Sequence, residues 1–189
     1  MPGKAPVKIE VSDFSFENSL VRIVANSNRP EIRLAGLTVG PFEEGSEYEV
    51  RYWIARELEK AGIVRFREED LLNLSRLHKI QWKERVQTAR RISELPEDFY
   101  PKLRRYMAEI EEQMTKKPEK IREYEKIRQV AQDIINSRLK KIVSLGSASV
   151  QTQQILKNLT SEEKSLCKEI HKLVNGWRAQ VLEKGGGEK

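Results

Sequence analysis

The sequence predicts an α+β chain, with a small β-rich N-terminal domain followed by a larger all-α helical-bundle domain. Three observations carry this. Short β-branched runs bounded by turn residues occupy the first third. From Glu47 onward apolar residues recur in steps of three and four, the period of one buried helix face. Charge is also divided: residues 1–70 hold 10 Lys and Arg against 13 Asp and Glu, and residues 71–189 hold 25 against 16. Such asymmetry marks two modules. The expected boundaries are 1–68 for the small α+β domain, 69–184 for the helical domain and 185–189 for a flexible tail.

The elements follow in order. Residues 1–19 carry Pro2, Gly3 and Pro6, then Val11, Phe14 and Phe16 among polar residues; they are expected as a lead-in whose aromatics pack onto the first module. Leu20–Ala25 is a β-branched run ended by the polar cluster Asn26–Pro30, and Glu31–Val39 follows as its antiparallel partner. Gly40-Pro41 and Gly45 punctuate the chain. From Glu47 the period changes to helical, with Val50, Trp53, Ile54, Leu58 and Ala61 on one face and Gly62 as the stop. Ile63–Phe66 returns as a strand. This β-β-α-β unit of about 65 residues is near the lower limit of what folds alone, with Val39, Phe42, Val50, Trp53, Ile54 and Leu58 as its core.

Residues 68–92 form the next expected helix. It opens on Glu68-Glu69-Asp70, closes on Arg85, Arg90 and Arg91 in keeping with the helix dipole, and carries a stripe of Leu71, Leu74, His78, Trp82, Val86 and Ala89. Leu95–Gly146 is the spine. Pro96 suits a first helical position, and Phe99, Leu103, Tyr106, Met107, Ile110 and Met114 line one face. After Pro118 the pattern restarts with Ile121, Tyr124, Ile127, Val130, Ala131, Ile134, Ile135, Leu139, Ile142 and Val143, so two helices lie antiparallel across a short connection. Gly146–Ser149 is a small-residue break, and Val150–Leu159 has room for a short helix. Thr160 to Glu163 has capping-box spacing. The last helix places Leu166, Ile170, Leu173, Val174, Trp177 and Val181 together.

No catalytic, cofactor or metal set emerges. His78 and His171 lack the two-histidine helical spacing of a zinc protease, and the single cysteine, Cys167, has no motif partner and cannot form an internal disulfide. Ser147 and Ser149 stand outside any nucleophile elbow, and no glycine-rich loop leads to a Lys-Ser/Thr pair. Glu43-Glu44 and Glu111-Glu112 are adjacent acids, solvated by default. The N-terminus lacks a signal-peptide core and no run is long enough to span a membrane, so a soluble cytoplasmic protein is expected. The net charge of +6 admits an acidic partner, nucleic acid among them, although the favoured reading is that helices rich in Lys and Arg are simply well solvated.

What remains is apolar display. Phe99, Tyr100, Tyr106, Tyr124, Trp53, Trp82 and Trp177 are large side chains in a highly charged chain. Long helices with more apolar face than one chain covers mark a protein–protein interface. The candidates are Phe99, Tyr100, Leu103, Tyr106, Ile127, Ile134 and Trp177, divided between domain core and subunit contacts.

Val39-Gly40-Pro41-Phe42, Gly45, Val50-Arg51-Tyr52-Trp53-Ile54-Ala55 and Leu58 resemble the small β-rich domain of GINS proteins, in the subunits where that domain comes first. Leu95-Pro96-x-x-Phe99-Tyr100 leading into a basic amphipathic helix is similar to the family's helical-domain motif. The order and spacing of these motifs span most of residues 20–182. The short length points to an archaeal member, and Arg51 stands where relatives often have Pro. The resemblance implies a non-catalytic replication factor without cofactors. Its partners would be a sister GINS subunit of opposite domain order in a heterotetramer, the MCM helicase, a Cdc45/RecJ-like protein, and primase or polymerase. DNA contact would be indirect or weak, at the nucleoid or replication fork. The rival reading is a DNA-binding regulator dimerising through its long helices; net acid in residues 1–70 is the wrong sign for its reading head.

Overall fold

The computed structural model describes residues 9–34, 36–86, 91–148 and 156–182. The tail at 185–189, residues 1–8 of the lead-in, Ala89, Arg90, Ser149 and most of the Val150–Leu159 segment lie outside them. The chain divides into two compact units, a strand-containing one at Glu10–Leu72 and a helical one from Asn73 onward.

The strand unit opens with α1 (Ile9–Glu17), a helix where an irregular lead-in was expected. Its Phe16 is buried against Tyr52, with ring centroids 4.4 Å apart, whereas Phe14 points to solvent. Strand β1 (Leu20–Ala25) forms as predicted but pairs differently. It lies at the centre of an antiparallel sheet between β4 (Glu47–Arg51) and β5 (Val64–Phe66). The predicted second strand is instead a separate hairpin of β2 (Ile32–Leu34) and β3 (Leu37–Val39). Glu47–Arg51 was assigned to the following helix, yet its Tyr48 and Val50 alternate inward as a strand does. Helix α2 (Tyr52–Lys60) starts only after Arg51, whose φ of −63° and ψ of 143° break the strand into the helix. That φ is also the value proline imposes.

Gly62, at φ 72°, ends α2 as expected, its N–H reaching Glu59 O at 2.8 Å. Ile54, Ala55 and Leu58 seat the helix on the sheet, over Ile23, Ala25, Phe42, Val50 and Val64. Val39 and Trp53 are half-buried against the same cluster.

The acid-rich stretch expected to open one long helix is instead a single 3-10 turn, Glu68–Asp70, that belongs to the strand unit. Helix α3 (Leu74–Val86) begins later, and α4 (Phe99–Lys116) begins three residues beyond Pro96. Asp98 pairs with Lys102 at 2.8 Å across the first turn of α4, where Pro101 costs no hydrogen bond. Helix α5 (Lys120–Gly146) has 27 residues, a rod of about 40 Å. Each of α3, α4 and α6 (Ser161–Leu182) packs on it. Leu77, Phe99, Leu103, Ile127, Ile134 and Ile142 are all at most 3 % exposed. None of the helices is long and apolar enough to cross a membrane among the described residues.

Candidate functional site

Two features stand out in the helical unit: a buried charge network and an uncovered apolar stripe. The network grows from Arg138, which is fully buried on α5. A guanidinium has five N–H donors in a fixed fork, and all five are used. Nε and Nη2 hold the two Glu163 oxygens at 2.5 and 2.6 Å. Nη1 donates to Glu84 Oε1 at 2.5 Å and to the Ser93 carbonyl at 2.8 Å. The remaining Nη2 proton goes to the Asn158 carbonyl at 3.2 Å. One turn on, Lys141 Nζ donates to Glu84 Oε2 at 2.6 Å and to the Glu84 carbonyl at 2.9 Å. Ser93 closes the set by donating its hydroxyl and its N–H to Glu84 Oε1.

The network thus ties α3, the α3–α4 connection, α5 and the start of α6 together, and its two acids and two bases cancel. Burial alone would push the Glu84 carboxyl up, but hydrogen bonds from Lys141 and Ser93 and the charges of Arg138 and Lys141 hold it below the usual range. Tyr100 donates its hydroxyl to Glu163 Oε1 at 2.6 Å. Burial first, and then the Glu163 charge, push its phenol well above the ordinary value. With lone pairs and protons spent on one another, these groups hold helices together and offer no free acid, base or nucleophile. Among the described residues no group of His, Cys, Asp and Glu is set to hold a metal.

Glu163 has a second task. Its N–H donates to the Thr160 hydroxyl oxygen at 3.3 Å, and its carboxylate accepts the Thr160 N–H at 3.1 Å. This is the reciprocal capping box expected from the spacing. Glu97 takes the Ser161 N–H at 2.6 Å, so two carboxylates face the positive end of α6. Arg104 grips Glu162 through both nitrogens at 2.8 and 3.2 Å.

From this anchored start α6 runs beside the last turns of α5 and continues past them. Glu163 faces Arg138, while His171 Nδ1 lies 3.0 Å from the Gly146 carbonyl. Arg178 reaches back to the Ser147 carbonyl at 2.9 Å. Gly146 permits the close crossing, because a Cβ there would stand 2.7 Å from Ile170 Cγ2. Cys167 is buried beside it, and burial pushes its thiol up, away from reactivity. Beyond this crossing Leu173, Trp177, Val181 and Leu182 are 60–78 % exposed. On α5, Ile135, Leu139 and Val143 form a second, shallower stripe at four-residue spacing.

The sequence-named candidates therefore separate. Phe99, Leu103, Ile127 and Ile134 belong to the chain's own core. Tyr100 and Tyr106 are half-buried, Tyr100 within the network. Trp177 is 63 % exposed. The α3 stripe is out of phase with expectation: the helix buries Leu77 and Glu84 and turns His78, Trp82 and Val86 outward. Sequence reasoning missed Glu84, Arg138, Lys141 and Glu163 as core. A signal existed, since Arg138 and Lys141 continue the Ile127, Val130, Ile134 ladder in phase.

Comparison with known proteins gives two family matches. Residues 71–182 match the GINS complex protein helical bundle domain, and residues 8–65 match the PSF2 N-terminal domain. The human DNA replication complex GINS protein PSF2 is 25 % identical over 154 residues, covering 80 % of this chain and 79 % of the human one.

Proposed function

Because the chain belongs to the GINS family, whose helical-bundle domain spans residues 71–182, we propose that it is a non-catalytic scaffold subunit of a GINS complex acting in DNA replication. The observation that carries this reading is the overhanging end of α6. Leu173, Trp177 and Val181 form a stripe that the described residues leave open. Covering a large apolar side chain yields roughly 1.5–3 kcal/mol, so a second chain gains most where three of them are aligned. The charge network fixes where α6 starts and thereby where this stripe is presented.

The immediate partners are other GINS subunits, a sister of opposite domain order in a heterotetramer. The assembled complex then acts on the MCM helicase together with a Cdc45/RecJ-like protein, with primase or polymerase as further contacts. Scaffolding works by differential binding: the complex favours whichever helicase conformation it contacts better. The chain's place is the replication fork.

Co-expression with a sister subunit tests this. The pair is expected to purify as one species of defined mass, and Trp177→Asp with Leu173→Asp to abolish co-purification while leaving the helical circular dichroism unchanged. Co-purification indifferent to both substitutions would sink this assignment of the interface. A chain that stays monomeric beside every candidate sister would sink the function.

A further inference from the structure

The outer face of α3 has a character that subunit assembly does not account for. Within Leu74–Val86 the helix carries Arg76, Lys79, Lys83 and Arg85 against a single acid, Glu84. That acid is 1 % exposed, turned inward and neutralised by Arg138 and Lys141. The helix therefore buries its only negative charge and shows solvent cations alone. Lys79 and Lys83 are exposed, and Arg85 is tied to Asp133 at 2.8 Å at one margin. Trp82 stands among them, 65 % exposed. Lys79 lies three residues before it and Lys83 one after, a turn apart on the same side.

An exposed indole flanked by ammonium groups presents a flat π-face and a cationic rim together. The buried-face alternative is closed here, because Leu77 already fills the core side of α3. We propose that this face binds single-stranded nucleic acid, with Lys79 and Lys83 on the phosphates and Trp82 stacked on an unpaired base. Charge complementarity selects a polyanion. The flat ring on a convex helix selects one with π-faces to offer, because base–aromatic stacking needs no pocket, whereas the apolar anchor of an acidic peptide does. A duplex hides its base faces and leaves Trp82 idle. The proposal is independent of the α6 interface, which lies on another helix.

The test uses the full chain, alone or with its sister subunit, and a labelled oligothymidylate followed by fluorescence anisotropy over a salt series. The expected result is binding that weakens with salt and quenches tryptophan emission. Trp82→Ala is expected to weaken it roughly 5- to 150-fold. Lys79→Ala with Lys83→Ala should reduce the slope of log affinity against log salt by about 1.4. The proposal is overturned by no oligonucleotide binding at low salt, or by binding that Trp82→Ala does not alter. It is equally overturned if polyglutamate competes with the same dependence on Trp82, or if Trp82→Ala changes the mass of the assembly by light scattering. That last outcome would make the face a protein contact.

Discussion

Arg138 shows how a charge is made a core residue. Its five donors all end on oxygens, and three of those oxygens belong to two carboxylates, Glu84 and Glu163, that would otherwise be stranded in the same interior. Removing one partner of a buried pair costs about 3–5 kcal/mol because the other is left uncompensated. Arg138→Met is therefore expected to destabilise the helical unit by about that amount, measured by urea denaturation. The pH dependence has a definite sign. Glu84 titrates below its ordinary 4.5 in the folded chain. Its contribution is thus present above the unfolded value and lost as pH falls through the folded one. Melting curves should show stability falling below about pH 4.5, and Glu84→Gln should flatten that acid limb while lowering stability at neutral pH. Tyr100 acts in the opposite direction: its raised phenol contributes below the ordinary tyrosine range and fades as pH rises through the folded value. Tyr100→Phe should remove that alkaline component.

At the scale of elements, helices were legible wherever the buried face was hydrocarbon. Ile127, Val130, Ala131 and Ile134 repeat at helical spacing and are all buried, so α5 could be seen from its residues. Helix α3 could not be phased. Its inward positions are Leu77 and Glu84, seven apart, whereas the spacing of the larger uncharged residues favours His78, Trp82 and Val86. The core position at Glu84 exists because Arg138 and Lys141, residues more than fifty positions away, supply the charge it needs. No local window contains that information. The strand unit failed differently: Glu47–Arg51 is too short and polar to separate from α2 by periodicity, and its identity is set by pairing with Leu20–Val24. The α5–α6 crossing supplies a test. Alanine ordinarily improves a helix over glycine by about 1 kcal/mol. At Gly146 the added Cβ meets Ile170 at 2.7 Å, so Gly146→Ala is expected to lose about 1–3 kcal/mol instead, with Ile170→Ala in the same chain restoring part of it. Thr160→Ala should cost about 1 kcal/mol by removing the cap of α6.

For the molecule as a whole, the division of labour lies between what is covered and what is left open. Most sequence-named aromatics and aliphatics of the spine are spent on the chain's own interior, and the open remainder sits on α6, on one side of α5 and on α3. In light scattering the isolated chain is expected to exceed its 22.0 kDa monomer mass, and Leu173→Asp with Trp177→Asp to return it to that mass. Because those side chains are exposed, the substitutions should change the melting midpoint little. Glu163 has a further consequence. One carboxylate both begins α6 and clasps Arg138, so the helix cannot start a residue early or late without surrendering a buried ion pair. Trp177 lies fourteen residues downstream, about 21 Å along the axis. The rotation and height at which that indole meets a neighbour are dictated from far inside the bundle, and a lesion at residue 138 would be felt as misalignment at a joint it never touches.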